Sequence, residues 1–194
     1  MKKNVKNVMI MMLTMYVGLF FSGCLNLEKM SIRYDIDKDL AGQMVLKFIG
    51  INSDEETEAE KKKEMSDFYD KYIKDGKEQA EIWCLKNGKT ELTDKTDLKC
   101  NATVTGEIWN IMGSLYPITE KSDFEIKKNS KTFSVEIASC KISEEDLPVE
   151  VSIKYAGKIL SHNANEFDKK NNLMTWSGKK MEQTGIRFVL EVNE

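Results

Sequence analysis

Residues 31–51 read SIRYDIDKDLAGQMVLKFIGI, and the fold turns on how that stretch is taken. Ser31 to Ile36 alternates between apolar and polar residues, Asp37-Lys38-Asp39 is a turn-forming run, and Gly42 to Ile51 alternates again. Period-two spacing places successive side chains on opposite faces of a strand, and a turn aspartate bonds its own backbone. The stretch therefore predicts an antiparallel hairpin with one buried face.

Working outward, Ser53-Asp54-Glu55-Glu56 has the form of a capping box, with Ser53 as cap and Glu56 three residues on. Met65, Phe68, Tyr69, Tyr72 and Ile73 then recur at spacings of three and four, which places them on one face of a helix. Gly76 is the natural stop. Residues 77–86 are open between a second short helix and a strand over Glu81 to Leu85 that enters an Asn87-Gly88 turn. Leu98 to Ile108 reads as a strand, and Trp109 to Tyr116 as a short helix or turn before Pro117. Phe124 to Lys127 and Thr132 to Ile137 flank Lys128-Asn129-Ser130 as a hairpin, and Val149 to Tyr155, Leu173 to Ser177 and Ile186 to Val192 are further strands. The expected class is α+β: a mainly antiparallel sheet with one long amphipathic helix packed on one face.

The amino-terminal stretch is of another kind. Lys2, Lys3 and Lys6 precede an apolar run from Val8 to Phe21, broken only by Thr14 and Gly18, and Ser22-Gly23-Cys24 follows. A basic start, an apolar run shorter than the roughly 20 residues of a spanning helix, and small residues before a cut describe an export signal. Residues 1–23 are thus expected to be removed, leaving residues 24–194 as a single extracytoplasmic domain. Its length suits one core.

Ser22-Gly23-Cys24 resembles the lipobox of bacterial lipoproteins, with Phe21 where leucine is commonest. The resemblance implies that the Cys24 thiol is alkylated by diacylglycerol and becomes the new amino terminus, holding the protein to a membrane. Palmitate-type acyl chains contribute about 0.8 kcal/mol per buried CH₂, so two or three hold stably. Only Leu25 to Glu28 separate Cys24 from the first strand-like segment, so the domain should sit close to the bilayer. In a two-membrane cell an aspartate after the cysteine favours inner-membrane retention, and Leu25 stands there instead; the expected site is the cell membrane or the outer membrane, on the extracytoplasmic face.

Loss of three lysines leaves 26 of the 29 basic residues against 32 acidic ones, a net charge of −6. Phosphate binding needs clustered lysine and arginine on one face, so no nucleic-acid partner is expected. Lys61-Lys62-Lys63 follows Asp54, Glu55, Glu56, Glu58 and Glu60, which is the charge order of a solvated helix. Cys84, Cys100 and Cys140 remain after lipidation. Outside the cytoplasm they are free to oxidise; Cys84 with Cys100 is the expected pair, closing a loop of about 15 residues worth roughly 3 kcal/mol, and Cys140 the free thiol. No CxxC pair is present and His162 is the sole histidine, so neither a metal nor another cofactor is expected.

Two regions together look like the LppM-like family of bacterial lipoproteins. One is Cys24 followed by Ser31-Ile32-Arg33-Tyr34-Asp35-Ile36 and Gly42-Gln43-Met44-Val45-Leu46-Lys47-Phe48. The other is Gly157-Lys158-Ile159-Leu160-Ser161-His162-Asn163-Ala164 with Asn172-Leu173-Met174-Thr175-Trp176. The resemblance covers the two ends of the mature chain and leaves residues 54–120 unaccounted for. It implies an envelope lipoprotein with an α+β domain and no catalytic set.

Three functions compete on these grounds. A membrane-anchored, non-catalytic binding or interaction module with an envelope protein as partner is the first. A carrier or sensor of lipid or another apolar ligand is the second, with Met65, Phe68, Tyr69, Tyr72 and Ile73 as the ligand face and Met65, Met112, Met174 and Met181 available to line a pocket. An enzyme is the third and is not expected: beside His162 there is no GxSxG, HExxH or phosphate-loop motif.

Overall fold

The computed structural model describes residues 25–82, 85–108, 111–115, 124–138 and 148–193. The expected hairpin is present and central. Strand β1 (Leu25–Asn26) precedes β2 (Lys29–Ile36) and β3 (Gly42–Ser53), and β2 pairs antiparallel with β3 so that Ile32 faces Leu46 and Tyr34 faces Met44. Asp37 closes the turn: its Oδ1 accepts the backbone N–H groups of Asp39 and Ala41 at 2.9 and 3.1 Å.

Helix α1 (Glu58–Ile82) follows, then β4 (Leu85–Thr93) and β5 (Lys99–Ile108), helix α2 (Ile111–Leu115), and the hairpin β6 (Phe124–Lys128) and β7 (Thr132–Ile137). Strands β8 (Val149–Tyr155), β9 (Ile159–His162), β10 (Glu166–Asp168) and β11 (Leu173–Ser177), helix α3 (Gly178–Thr184) and β12 (Ile186–Glu191) complete the chain. The larger sheet runs β10-β11-β8-β2-β3-β5-β4, with β1 extending the pairing at the end of β3; the smaller runs β6-β7-β12-β9. All described pairs are antiparallel except β2 with β8.

The expected α+β class is overturned. Among the described residues strands outweigh helices, 57% against 17%, and the strands form two sheets. A helix therefore does not serve as the layer covering the sheet. Register shows why. Val151, Ile32, Leu46 and Val104 stand side by side across β8, β2, β3 and β5, and all four are buried. The smaller sheet meets this apolar face through Phe133, Phe188 and Leu190, all at most 1% exposed, with the rings of Trp176 and Phe188 5.9 Å apart. Alternation buries only one face of each sheet, and two such faces bury each other. Helix α1 packs mainly beside β3, β4 and β5, at one side of the larger sheet.

Three boundaries also differ from the expectation. The capping box lies at Thr57 and Glu60, whose Oε2 accepts the Thr57 N–H at 3.3 Å while Thr57 Oγ1 accepts the Glu60 N–H at the same distance. Ser53 ends β3 instead. The helix runs through Gly76 to Ile82, since a single glycine costs only about 1 kcal/mol in a helix held by packing. Residues 77–82 thus continue α1, and Asn87, at φ 51°, sits in an irregularity inside β4 between Lys86 and Lys89. Strands β9 and β10 flank the polar stretch around Asn163, for which no strand was expected.

Candidate functional site

The smaller sheet carries a shallow groove on its outer face. On β7, Phe133, Val135 and Ile137 point into the core, so Ser134 and Glu136 point out; on β12, Phe188 and Leu190 point in and Arg187 and Val189 point out. The register sets Glu125 opposite Glu136, and Glu136 opposite Arg187, as one row across three strands. Arg187 Nε lies 3.0 Å from Glu136 Oε1, and Lys127 Nζ lies 2.8 Å from Glu125 Oε1. The hydrogen bond from Lys127 to Glu125 holds the ammonium proton above the usual lysine range. These groups border a shallow groove of about 370 Å³ that also takes in Ser161, His162 and Asn163.

The wall of the groove is fixed from behind. Asn163 Oδ1 accepts the backbone N–H of Arg187 at 2.8 Å, and its Nδ2 donates to the carbonyls of Gly185 and Thr184 at 3.1 and 3.3 Å. His162 faces its own loop: Nδ1 accepts the Ala164 N–H at 3.2 Å, and the ring lies 4.6 Å from that of Phe167. An imidazole used this way orders the chain. The groove exposes apolar and polar surface in similar measure, with two carboxylates set beside two cations, which suits reversible contact with a partner of mixed surface. The sequence marks His162 and Asn163, yet Glu125, Lys127, Glu136 and Arg187 are ordinary surface residues until strand pairing gathers them.

The residues singled out from sequence lie elsewhere. Cys24 lies outside the described residues, but Leu25 beside it pairs with Ser53 at the end of β3. Cys84 and Cys140 also lie outside them. Cys100 is a free, buried thiol, not the disulfide partner expected of it. Burial pushes the Cys100 thiol up to about 11.

Of the proposed apolar ligand face, Met65, Phe68, Tyr69 and Tyr72 are at most 6% exposed, and the side chain of Ile73 lies outside the described ones. The Phe68 and Tyr72 rings are 5.3 Å apart. Tyr69 donates its hydroxyl to the Thr96 carbonyl at 2.6 Å, and Lys95 Nζ sits 4.0 Å over its ring. Burial pushes the Tyr69 hydroxyl up to about 12. The stripe is taken up by the protein's own packing, against β5 and the turn that precedes it.

Among the described residues no helix is long and apolar enough to cross a membrane, and no group of three or more histidine, cysteine, aspartate or glutamate residues is placed to hold a metal. Together these features define a two-sheet β protein with a shallow, charge-lined groove on the outer face of its smaller sheet. No family model matches the chain, and no curated protein matches it. The chain is similar to the NMR structure of the folded domain of Mycobacterium tuberculosis LppM, with 9% identity and a TM-score of 0.46, over 91% of this chain and 95% of that one.

Proposed function

We propose that this protein is a bacterial lipoprotein, anchored through lipid on Cys24, whose folded body is a non-catalytic binding module held at the extracytoplasmic face of a membrane. The observation that carries the reading is the run from Lys2 to Cys24: basic start, short apolar stretch, then Ser22-Gly23-Cys24. Leu25, the residue after Cys24, is paired with Ser53 at the end of β3, so lipid on Cys24 would be held close to the sheet. The partner would be an envelope component that meets the groove beside Glu136 and Arg187.

Intact-mass analysis of the protein extracted from membranes tests the anchor. The expected mass is that of residues 24–194 with diacylglycerol on sulfur, and Cys24→Ala should move the protein out of the membrane fraction. A native protein with an unmodified sulfur, or with another first residue, ends the reading. For the groove, Arg187→Glu should leave the unfolding midpoint nearly unchanged, since an exposed ion pair contributes at most about 1 kcal/mol. Envelope components bound by the native protein should be lost from that variant; equal binding by both would remove the groove from the account.

A further inference from the structure

The larger sheet has two ends, and the position of Leu25 distinguishes them. Leu25 and Asn26 pair with Ser53 and Asn52, and Asn52 pairs in turn with Lys99 at the start of β5. Asn26 and Lys99 are therefore two strand spacings apart, about 10 Å. The turn from β4 to β5 occupies the same end, held by Thr96, whose N–H donates to the Lys99 carbonyl at 2.9 Å. Leu25 and Leu27 pack against the core, so β1 is part of the body and leaves no slack after residue 24.

Leu98 projects from this turn at 38% exposure, and the other large apolar side chain so exposed among the described residues is Leu160, at 42%. Leu160 belongs to the opposite end. It follows Ile159, which pairs with Leu190; Glu191 donates its N–H to the Lys158 carbonyl, and Asn193 donates to the Lys38 carbonyl in the β2–β3 turn. Eight residues of β2 separate that turn from Lys29, about 26 Å of strand. A lone exposed leucine is ordinary. One that shares a sheet end with a tether lacking slack has a bilayer within reach.

Charge at this end is mixed with an acidic excess, since Asp54, Glu55 and Glu56 directly follow Ser53. Lys95 and Lys99 are offset by Asp94 and Asp97; Asp94 accepts from the Asn101 amide at 2.6 Å, and Asp97 lies 4.0 Å from Lys62. The arrangement fits a zwitterionic headgroup layer better than a strongly anionic one.

We propose that the sheet end formed by Asn26, Asn52 and the 94–98 turn is a bilayer-docking edge, on which Leu98 enters the headgroup region beside the lipid on Cys24. The inference rests on lipidation of Cys24 and adds the orientation of the body. Docking at this edge points the Asp37–Asp39 turn away from the membrane.

The lipidated full chain, reconstituted into phosphatidylcholine vesicles, provides the test through Leu98→Trp and Leu160→Trp, each compared with the parent to remove the emission of Trp83, Trp109 and Trp176. Lipids brominated near the headgroup should quench the added emission at position 98 and leave that at position 160 unchanged. Protein that floats with the vesicles but shows no added quenching at 98, or equal quenching at both positions, overturns the docking edge and leaves the anchor standing. Protein that does not float overturns both.

Discussion

The indole N–H of Trp176 donates to Oδ1 of Asn163 at 2.8 Å, so a side chain from the larger sheet is bonded to the segment that continues β9 of the smaller. The same oxygen accepts the backbone N–H of Arg187, and the amide nitrogen bonds the carbonyl of Gly185. One asparagine thus joins both sheets and the entrance to β12. Asn163→Ala strands the Trp176 donor in the core and removes the side-chain partner of three backbone groups, the Arg187 N–H and the Gly185 and Thr184 carbonyls. A loss of about 2–4 kcal/mol is expected, read by urea unfolding with intrinsic tryptophan emission.

Gly185 stands at φ 65° and ψ −166°, a region open essentially to glycine alone. A Cβ built there would lie 1.8 Å from the Ile137 carbonyl oxygen. That oxygen belongs to the strand pairing beside β12 and has no freedom to retreat. Gly185→Ala should cost at least about 3 kcal/mol. Gly50→Ala is the informative contrast: its φ is also positive, at 70°, but the added atom meets the flexible Glu28 side chain. Calorimetric midpoints should fall for both and fall further for Gly185→Ala.

Glu64 accepts a hydrogen bond from Ser53, and its Oε1 is buried with no partner. Burial first, and then the charges of Glu55, Asp54 and Asp67, raise its carboxyl above the ordinary 4.5, against the opposing hydrogen bond from Ser53. The native state therefore binds more protons than the unfolded chain between 4.5 and the raised value. Stability from this group is greatest below that window and is lost as pH rises through it. Glu64→Gln should raise the thermal midpoint relative to the native protein at neutral pH, and the difference should shrink toward zero below the ordinary carboxylate pKa. A constant offset across that range would refute the assignment.

Cys100 is 1% exposed, and burial sets its pKa near 11, although a hydrogen bond with Tyr69 and the Lys95 charge act in the opposite sense. The thiolate is the reactive form, so the folded protein should resist alkylation at this position. Iodoacetamide at mildly alkaline pH, followed by peptide mapping, should leave Cys100 unmodified until denaturant is added. Rapid labelling in the folded state would contradict the burial.

The sequence is read best where local pattern and tertiary need agree. Ser31 to Ile36 alternates because one of its faces is buried, and β2 follows that pattern; in β3 the buried residues Met44, Leu46 and Phe48 keep the same period up to the register shift before Ile51. The same holds for the hairpin of β6 and β7. The α1 boundaries were misplaced because Ser53 and Thr57 both offer a cap with a glutamate three residues on, and only pairing of β3 out to Ser53 selects Thr57. The class was misjudged for a related reason. The long amphipathic stripe from Met65 to Tyr72 looked sufficient to cover a sheet, whereas Phe133, Phe188 and Leu190 form a second apolar face that fills that role. The groove residues gave no local signal at all, since Glu125, Glu136 and Arg187 come from separate strands.

What the chain itself determined is the hairpins of β2 with β3 and β6 with β7, the strands β5, β8, β11 and β12, and the aromatic stripe of α1, because periodicity is a local property. What only the tertiary structure decided is which faces meet, where Cys100 lies relative to β4, and which charges share the groove. Each of those depends on strand register, and register is set by contacts between residues far apart in the chain.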